Sequence, residues 1–457
     1  MAGFYVVRDE YDTGKADNPL DLPAFPYEAA YVIQDRMFKE DGSLFYPAFP
    51  GDPFYEDFIV GEEAELPPDK FPDGGPSALA EFFGDVMTVN GKAWPKTNVE
   101  PRQYRLRLLN GCDSRFLILR FKQVRLNSTN VQPWHQNVPF TVIGTDHGLG
   151  TKAKKMETLL MEPGSRYDVI VNFKGLEGRR VIMWNVGPDE PYSGDFDDIS
   201  FPKSGPGFMR TGRVMAFDVT LPLDKSVPDN FNAAFSIGPQ YYPPIPEPTR
   251  VRKVALFEGL DEFGRLMPLL GTVEPATDFQ GQPIYWPNTE AHQLAGLAGK
   301  QMEGTMAWHE PSTENPKNGT AEEWEVWNLS GDAHPIHLHL VRFEILGREE
   351  IVWDSGTQLQ EDGDEIVGDG TFLVHQPIVQ HNGVLGLGFR VVNPTKGASV
   401  ETPSIHYEDG PKDMVTALPG QVTRFKTYFD QPGRFVWHCH ILAHEDHEMM
   451  RVMYVSE

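Results

Sequence analysis

Cysteine is rare in this sequence: Cys112 and Cys439 are the two cysteines among 457 residues. Two cysteines cannot build a disulfide framework, and their different sequence settings argue against a single bridge between them. Long apolar runs are also missing, since no stretch approaches the ~18 uninterrupted apolar residues of a membrane-spanning helix. The opening residues MAGFYVVRDE lack the basic start and apolar core of a signal peptide. The sequence does not reveal the compartment.

Positive charge is scarce as well. The 40 Lys and Arg residues are outnumbered by 66 Asp and Glu residues, which gives a formal net charge of −26. A chain this acidic repels phosphate backbones and anionic lipid. We therefore expect neither nucleic acid nor a membrane surface as a partner.

Short β-forming runs make up much of the chain. They are rich in Val, Ile, Phe, Tyr and Trp, and 43 glycines and 39 prolines separate them, which predicts an all-β protein. Residues 104–108 alternate, so that Tyr104, Leu106 and Leu108 fall on one face of a strand. Strands are also predicted over residues 116–121, 168–173 and 181–186. This spacing suits a β-sandwich or barrel.

Turn-rich segments divide the chain, whose length predicts two or three domains. Residues 4–9 are predicted to be a strand, although an isolated terminal strand has no sheet to pair with. We therefore interpret residues 1–26 as the last strand of a missing domain plus a linker. The remaining predicted parts are a domain over 27–221, a Pro-rich linker over 222–249 and a domain over 250–457.

One segment of the last predicted domain, Glu350–Thr416, is rich in Gly, Asp and Asn. It is predicted to form long loops over a β scaffold, and such loops are either functional or disordered. Because it lies between the two histidine-rich segments described next, we expect it to shape the substrate edge.

Histidines are concentrated in two short segments of the last domain. Seven of the fourteen lie within residues 331–339 and 437–447. A lone histidine is usually an ordinary surface or core residue. Two dense groups differ, because several imidazoles packed closely together need a compensating partner, and a metal ion is such a partner.

The spacing within these segments predicts two separate sites. Residues two apart on a strand point the same way, so His337 and His339 share a face, and so do His438 and His440. Cys439 lies between the last two and must point to the opposite side. One strand can therefore offer two imidazoles to one site and a thiolate to another.

The ligand types indicate copper at the thiolate site. A thiolate, two imidazoles and a weak thioether are the ligands of a blue-copper electron-transfer centre, and Cys439, His444, His334 and Met449 can supply them. A structural zinc site usually takes several cysteines. The HEDH sequence that begins at His444 also fails the HExxH spacing of a zinc hydrolase.

Two segments carry a specific family resemblance: HPIHLHL (334–340) and HCHILAHEDHEMM (438–450) resemble the third and fourth copper motifs of multicopper oxidases. The likeness is greatest to bacterial spore-coat laccases, bilirubin oxidases and phenoxazinone synthases, and it covers nearly the whole chain. It implies tandem cupredoxin-like, Greek-key β-sandwich or barrel domains. Further segments resemble the second and third of these domains: 31–47, 89–95, 99–110, 164–173 and 308–316.

The resemblance also implies a role for each candidate residue. His337 would bind the type 2 copper, and Glu445 would deliver protons to the dioxygen site, the alternative being a solvated surface carboxylate. His309 matches the family as scaffold and is not expected to be a ligand. The type 1 copper would be bound by His334, Cys439, His444 and Met449, and the type 3 pair by His339, His438 and His440.

The implied reaction takes four one-electron oxidations of a small aromatic substrate at the type 1 copper and reduces O2 to water. Phenols, aminophenols and tetrapyrroles are the expected substrates. Electrons would cross from Cys439 to its bonded neighbours His438 and His440. An axial Met449 would weaken the oxidising power of the type 1 site.

The sequence departs from the family in the number of ligands. The family's trinuclear centre takes eight histidines, four of them from HxHG and HxH motifs of the first domain, and this chain supplies the other four. Type 2 and type 3 copper are therefore expected only if the missing histidines are supplied. Three interpretations remain: a truncated oxidase, which we favour; an electron-transfer or copper-binding protein with only a type 1 site; and a first cupredoxin domain from a separate chain.

Overall fold

The structure, a computed structural model, describes residues 3–58, 64–194, 208–234, 237, 241–354 and 370–457. β-Strands dominate these residues, and the α-helices among them are only four or five residues long. The predicted all-β class is confirmed.

The elements within the described residues follow one another from Glu28 to Val455. The strands are β1 Glu28–Phe38, β2 Leu44–Phe45, β3 Val86–Val89, β4 Lys92–Ala93, β5 Lys96–Val99, β6 Gln103–Asn110, β7 Leu117–Arg125, β8 Phe140–Thr145, β9 Gly148–Met156, β10 Leu159–Met161, β11 Arg166–Asn172, β12 Arg179–Asn185, β13 Arg213–Val219, β14 Arg250–Leu260, β15 Leu266–Thr272, β16 Gly304–Met306, β17 Thr320–Asn328, β18 His334–Leu338, β19 Phe343–Ile351, β20 Phe372–Val379, β21 Leu385–Val392, β22 Lys396–Val400, β23 Met414–Ala417, β24 Gln421–Phe429, β25 Gly433–Cys439 and β26 Met450–Val455. The helices are α1 Tyr55–Phe58, α2 Phe208–Thr211, α3 Glu290–Leu294 and α4 Leu442–Asp446, with one 3₁₀ turn at Pro72–Gly74.

The chain forms two compact units, each assembled from discontinuous segments. Unit 1 comprises residues 1–46, 83–244 and 403–412, and unit 2 comprises residues 47–82, 245–402 and 413–457. The domain ranges predicted from the sequence are continuous, whereas these units are not. In particular, residues 47–82 belong to unit 2, and this segment contributes one residue to the candidate metal site.

Unit 1 consists of two sheets among its described residues. Eight strands form the first sheet in the order β4-β3-β1-β6-β11-β8-β9, with β2 paired to β1. Five strands form the second sheet in the order β10-β7-β12-β13-β5. Tyr104, Leu106 and Leu108 of β6 belong to the unit's hydrophobic core, as their alternation predicts.

The strands predicted in unit 1 are found close to their expected positions. Residues 104–108 lie inside β6, and residues 181–185 lie inside β12. The other two predictions match β7 and β11 with ends that differ by one residue or more. Such shifts at the ends are expected, because fraying and assignment rules move an element's ends more than its centre.

Unit 2 contains the strands that carry the candidate ligands. Nine strands form its larger sheet, in the order β16-β15-β14-β17-β24-β19-β22 with β20 and β21 attached through β14. Its smaller sheet has the order β23-β18-β25-β26. Here β18 and β25 are antiparallel neighbours, and their register pairs Ile336 with Cys439 and His337 with His438.

Two predictions from the sequence are wrong in the described residues. Residues 4–9 form no strand, because no neighbouring strand offers them backbone hydrogen bonds. The segment predicted as long loops, Glu350–Thr416, contains strands β20, β21 and β22, and β20 and β21 form a hairpin of eight residue pairs. Pairing to a neighbouring strand overrides the polar composition there. Residues 355–369 of that segment and Pro239 of the predicted linker lie outside the described residues.

In the part of the chain that the structure describes, no helix has the length and apolar character needed to cross a membrane.

Candidate metal centres

The pairing of β18 with β25 gives the two faces of the small sheet different side chains. His337 lies opposite His438, whereas Ile336 lies opposite Cys439. Neighbouring residues of a strand point to opposite faces, so the imidazoles of this pair and the Cys439 thiol lie on different sides of the sheet. Two groups of possible metal-binding side chains therefore form within one pair of strands.

The first group, which we call the thiolate pocket, comprises Cys439, His334 and His444, and the predicted fourth ligand, Met449, is connected to it through its backbone. Cys439 Sγ lies 3.7 Å from His334 Nδ1 and 3.9 Å from His444 Nδ1, and the two Nδ1 atoms are 3.3 Å apart. All four side chains are buried. The Met449 backbone accepts a hydrogen bond from Cys439 N at 3.1 Å and donates one to His444 O at 2.9 Å.

Polar groups face the outer nitrogens of the two imidazoles in the thiolate pocket. Ser330 Oγ lies 2.7 Å from His334 Nε2, and Glu81 Oε1 lies 3.2 Å from His444 Nε2. Burial, with a smaller contribution from the charge of His447, lowers the pKa of His444 to about 3. Burial also places the pKa of His334 well below its usual range. Both imidazoles are therefore neutral near pH 7 and can offer a nitrogen lone pair.

The backbone after β25 also favours a thiolate. Ile441 N donates a hydrogen bond to Cys439 Sγ at 3.4 Å. A hydrogen bond to the charged form of a group stabilises that form. Two neutral imidazoles and a thiolate that accepts a backbone hydrogen bond are donors that a soft metal ion can bind.

The second group, which we call the histidine cluster, comprises His337, His339, His438 and His440. The Nε2 atoms of His339 and His438 are 3.2 Å apart. The His337 ring centroid lies 4.9 Å from that of His339 and 5.3 Å from that of His438. The His440 ring centroid lies 5.5 Å from that of His438 and 6.0 Å from that of His337.

Hydrogen bonds fix the imidazoles of the histidine cluster from outside. His337 Nδ1 lies 2.8 Å from the carbonyl oxygen of Asp413, which leaves Nε2 for a ligand. Burial lowers the pKa of His337 to about 4, against the opposing charge of Asp413. His438 Nδ1 lies 2.9 Å from Cys439 O and 3.0 Å from Glu445 Oε2. The rings of His337 and His438 therefore keep their Nε2 atoms for a ligand, as metal-binding histidines with second-shell partners do.

Glu445 is held against the histidine cluster as a carboxylate. Burial would raise the pKa of Glu445, but the hydrogen bond from His438 and the charges of His438, His440 and His339 outweigh it, so this pKa is lowered. The side chain is still 26 % exposed. Glu445 thus contacts both the cluster and solvent, which differs from a fully solvated surface carboxylate.

Comparison with known proteins identifies the family. The family model described as "Multicopper oxidase" matches residues 283–362 and 386–457. A laccase from Bacillus stratosphericus is 30 % identical over 455 residues, which cover 99 % of this chain and 67 % of the laccase. A laccase from Bacillus subtilis (strain 168) is 30 % identical over 461 residues, which cover 100 % of this chain and 67 % of that laccase. The chain belongs to the multicopper oxidase family.

Solved multicopper oxidases share the fold. A variant of the McoA multicopper oxidase from Aquifex aeolicus superposes with a TM-score of 0.53 at 20 % identity and covers 98 % of this chain and 70 % of that chain. A multicopper oxidase from Pediococcus acidilactici gives a TM-score of 0.51 at 20 % identity, covering 96 % and 61 % of the two chains. The predicted cupredoxin-like architecture is confirmed, and membership makes this multicopper oxidase a copper-dependent oxidoreductase.

The structure adds three residues that sequence reasoning did not find: Glu81, Ser330 and Asp413. Ser330 and Asp413 lie near the ends of β18 and β23, so the strand pattern could have drawn attention to them. Glu81 had no such signal, because it lies in residues 47–82, far from His444 in the sequence. His309 lies outside both groups, 3.3 Å from Glu310 Oε1.

Proposed function

We propose that this multicopper oxidase is of the laccase type and couples the one-electron oxidation of small aromatic substrates to the four-electron reduction of O2 to water. Phenols, aminophenols and tetrapyrroles are the proposed substrates. One observation carries the proposal: a single strand, β25, contributes Cys439 to the thiolate pocket and His438 to the histidine cluster. The names of the Bacillus laccases support the same activity.

The proposed ligand assignment follows the two groups. His337 is assigned to the type 2 copper, and His339, His438 and His440 are assigned to the type 3 pair. The type 1 ligands are His334, Cys439, His444 and Met449. Bound copper would supply the one-electron redox change that none of these side chains provides alone.

The residues of the chain provide a path for electrons between the two groups, keep water away from the thiolate and hold imidazole rings in place. Cys439 is bonded directly to His438 and His440, so an electron moves from the thiolate pocket to the histidine cluster through the bonds of adjacent residues. Burial of Cys439, His334 and His444 keeps water away from the thiolate. Outer hydrogen bonds hold the rings of His334, His337 and His438 in place, which lowers the reorganisation needed when charge changes.

Glu445 is the proposed proton carrier. Reduction of one O2 to two waters consumes four protons as well as four electrons. The Glu445 carboxylate contacts His438 Nδ1 at 3.0 Å and remains partly exposed, so it can take up protons from solvent and release them at the cluster.

One observation favours a second candidate function, electron transfer at a type 1 site alone. Among the described residues, only four imidazoles gather in the histidine cluster, whereas the family's trinuclear centre takes eight. We propose that histidines from outside residues 1–457 complete the centre. Without them, the chain would hold copper in the thiolate pocket and pass electrons without reducing O2.

Oxygen uptake separates the two functions. The copper-loaded chain is mixed with 2,6-dimethoxyphenol, and O2 consumption is followed for the parent chain, for His438→Ala and for a matched control, His375→Ala, whose exposed ring lies outside both groups. Uptake that is lost in His438→Ala and kept in His375→Ala supports the oxidase. A blue chain that consumes no O2, even when a second chain carrying the missing HxHG and HxH histidines is added, contradicts it and supports electron transfer alone.

A further inference from the structure

The outer nitrogens of the two thiolate-pocket imidazoles face different groups. His334 Nε2 lies 2.7 Å from the neutral hydroxyl of Ser330 and 4.0 Å from Glu258 Oε1. His444 Nε2 lies 3.2 Å from a carboxylate oxygen of Glu81. The Glu81 and His444 side chains are 4 % and 2 % exposed, so solvent does not screen this contact.

Glu81 is held in this position by its own segment. Its neighbours Leu79, Ala80 and Phe82 are buried. Earlier in the segment, Arg265 donates a hydrogen bond to Ser77 Oγ at 2.9 Å. Both Arg265 and His444 belong to unit 2, as does the whole of 47–82. Because the residues before and after Glu81 in the sequence are buried, their packing fixes the Glu81 carboxylate beside the His444 imidazole.

The charge of Glu81 favours one tautomer of His444, although the 3.2 Å contact does not have hydrogen-bond geometry. A carboxylate only accepts hydrogen bonds, so the favoured tautomer has its hydrogen on Nε2, toward Glu81. Nδ1 then carries the lone pair, and this atom is the one that lies 3.9 Å from Cys439 Sγ and 3.3 Å from His334 Nδ1. The other tautomer would set the Nε2 lone pair against the carboxylate.

We propose that Glu81 is a positioning residue of the type 1 site, which orients the His444 imidazole for copper and lowers the reduction potential of that site. This inference rests on the proposed type 1 assignment of the thiolate pocket. A buried negative charge beside a ligand stabilises the oxidised, more positive state of the site over the reduced state, and a carboxylate partner also makes the imidazole a stronger donor. His334 Nε2 instead has the neutral Ser330 hydroxyl at 2.7 Å, and the Glu258 carboxylate lies farther from it, at 4.0 Å.

The test is a redox titration of the blue absorption in the copper-loaded chain. Glu81→Gln keeps the size of the side chain but removes its charge. The equilibrium constant for reduction should rise about tenfold, an upward shift of about 59 mV for a one-electron couple. Glu81→Asp, which keeps the charge, should stay close to the parent chain. The charge-matched control is Glu274→Gln, an exposed residue paired with Lys253, and it should leave the potential unchanged.

An NMR measurement follows the Nε2 proton of His444 directly. In the reduced, diamagnetic protein, the Nε2 hydrogen of His444 should give a slowly exchanging NMR signal that moves in Glu81→Gln and stays in Glu274→Gln. If Glu81→Gln does not fold, Glu81→Ala removes the same charge without placing an amide against the ring, and the same upward shift is expected from it.

The outcomes separate this inference from the function on which it rests. A parent chain that binds copper without becoming blue contradicts the type 1 assignment and the role of Glu81 together. A blue parent chain whose potential and His444 signal are the same in the charge-removing variants overturns the role of Glu81 alone. An equal shift of the reduction potential in Glu274→Gln would also overturn the role of Glu81, because the shift would then result from the net charge of the whole protein.

Discussion

At the scale of single residues, Cys439 is the side chain on which both the proposed blue colour and the proposed electron path depend. Its sulfur is buried, lies within 4 Å of two imidazole nitrogens and accepts a backbone hydrogen bond from Ile441. Oxygen is a harder ligand than sulfur, and it does not give the charge-transfer absorption of a copper thiolate.

Replacement of Cys439 therefore gives the first prediction. Cys439→Ser should abolish the intense blue absorption of the copper-loaded chain, measured by visible spectroscopy at equal copper content. Cys112→Ser is the matched control, because Cys112 is buried elsewhere and should leave the colour intact. A blue Cys439→Ser variant would refute the type 1 assignment.

Met449 gives the second prediction at this scale. It is fully buried, and its backbone forms hydrogen bonds with both Cys439 and His444, which is the basis for proposing its thioether as the axial ligand. Met449→Leu should keep the colour and raise the reduction potential by about 59 mV, a tenfold change in the reduction equilibrium, because the weak thioether ligand is lost. An unchanged potential in a redox titration would argue against axial ligation.

At the scale of elements, strand β25 owes its position to the apolar residues around its ligands. Trp437 is completely buried, its ring centroid lies 5.6 Å from that of Trp324, and its indole N–H donates to Glu314 Oε2 at 3.2 Å. Because Trp437 directly precedes His438, its packing anchors the strand that carries both sites.

The third prediction concerns this anchor. Trp437→Ala should lower the free energy of unfolding by about 3–5 kcal/mol, since it leaves a cavity and removes the hydrogen bond from the indole to Glu314. Urea unfolding of the copper-free chain measures the change. Tyr454→Ala on the neighbouring strand β26, where the ring is 49 % exposed, should cost far less. Equal losses in the two variants would mean that Trp437 does not anchor the sheet.

The strands also show which parts of the fold could be predicted from the sequence. Alternation over residues 104–108 predicted a strand and its buried face, because one sheet face must meet the core. The hairpin of β20 and β21 was missed, since its strands are held by pairing rather than by a clean apolar pattern. Residues 4–9 have strand-like composition but no partner strand among the described residues.

At the scale of the whole molecule, the two discontinuous units could not be predicted. Nothing local in residues 47–82 indicates that they pack with unit 2, so Glu81 could not be connected with His444. The histidine spacing, by contrast, is a local signal, and it pointed to the side chains that the structure gathers into two groups. Contacts between residues close in sequence were predictable, and those between distant segments were not.

The fourth prediction concerns pH and unit 1, where Asp12 is bound by three arginines. Burial raises the pKa of Asp12, but the hydrogen bonds and charge of Arg105, followed by the charges of Arg107 and Arg8, outweigh it, so this pKa lies far below its usual range. A carboxyl whose pKa is lowered on folding stabilises the fold above its unfolded pKa, and that stability is lost as the pH falls.

The free energy of unfolding should therefore decrease as the pH drops below about 5 toward the folded pKa of Asp12. Urea unfolding at a series of pH values measures this slope. Asp12→Asn should be less stable at pH 7 and should show a shallower loss at low pH. Parallel curves for the parent chain and the variant would contradict the role of Asp12.

The central claim is that this multicopper oxidase passes electrons from an aromatic substrate through Cys439 to a centre that reduces O2 fully to water. The stoichiometry of turnover tests this directly, with oxidised 2,6-dimethoxyphenol, consumed O2 and released hydrogen peroxide measured together in the copper-loaded chain supplied with the missing histidines. We expect four one-electron oxidations for each O2 consumed and no peroxide. Two oxidations for each O2, with peroxide as the product, would contradict it.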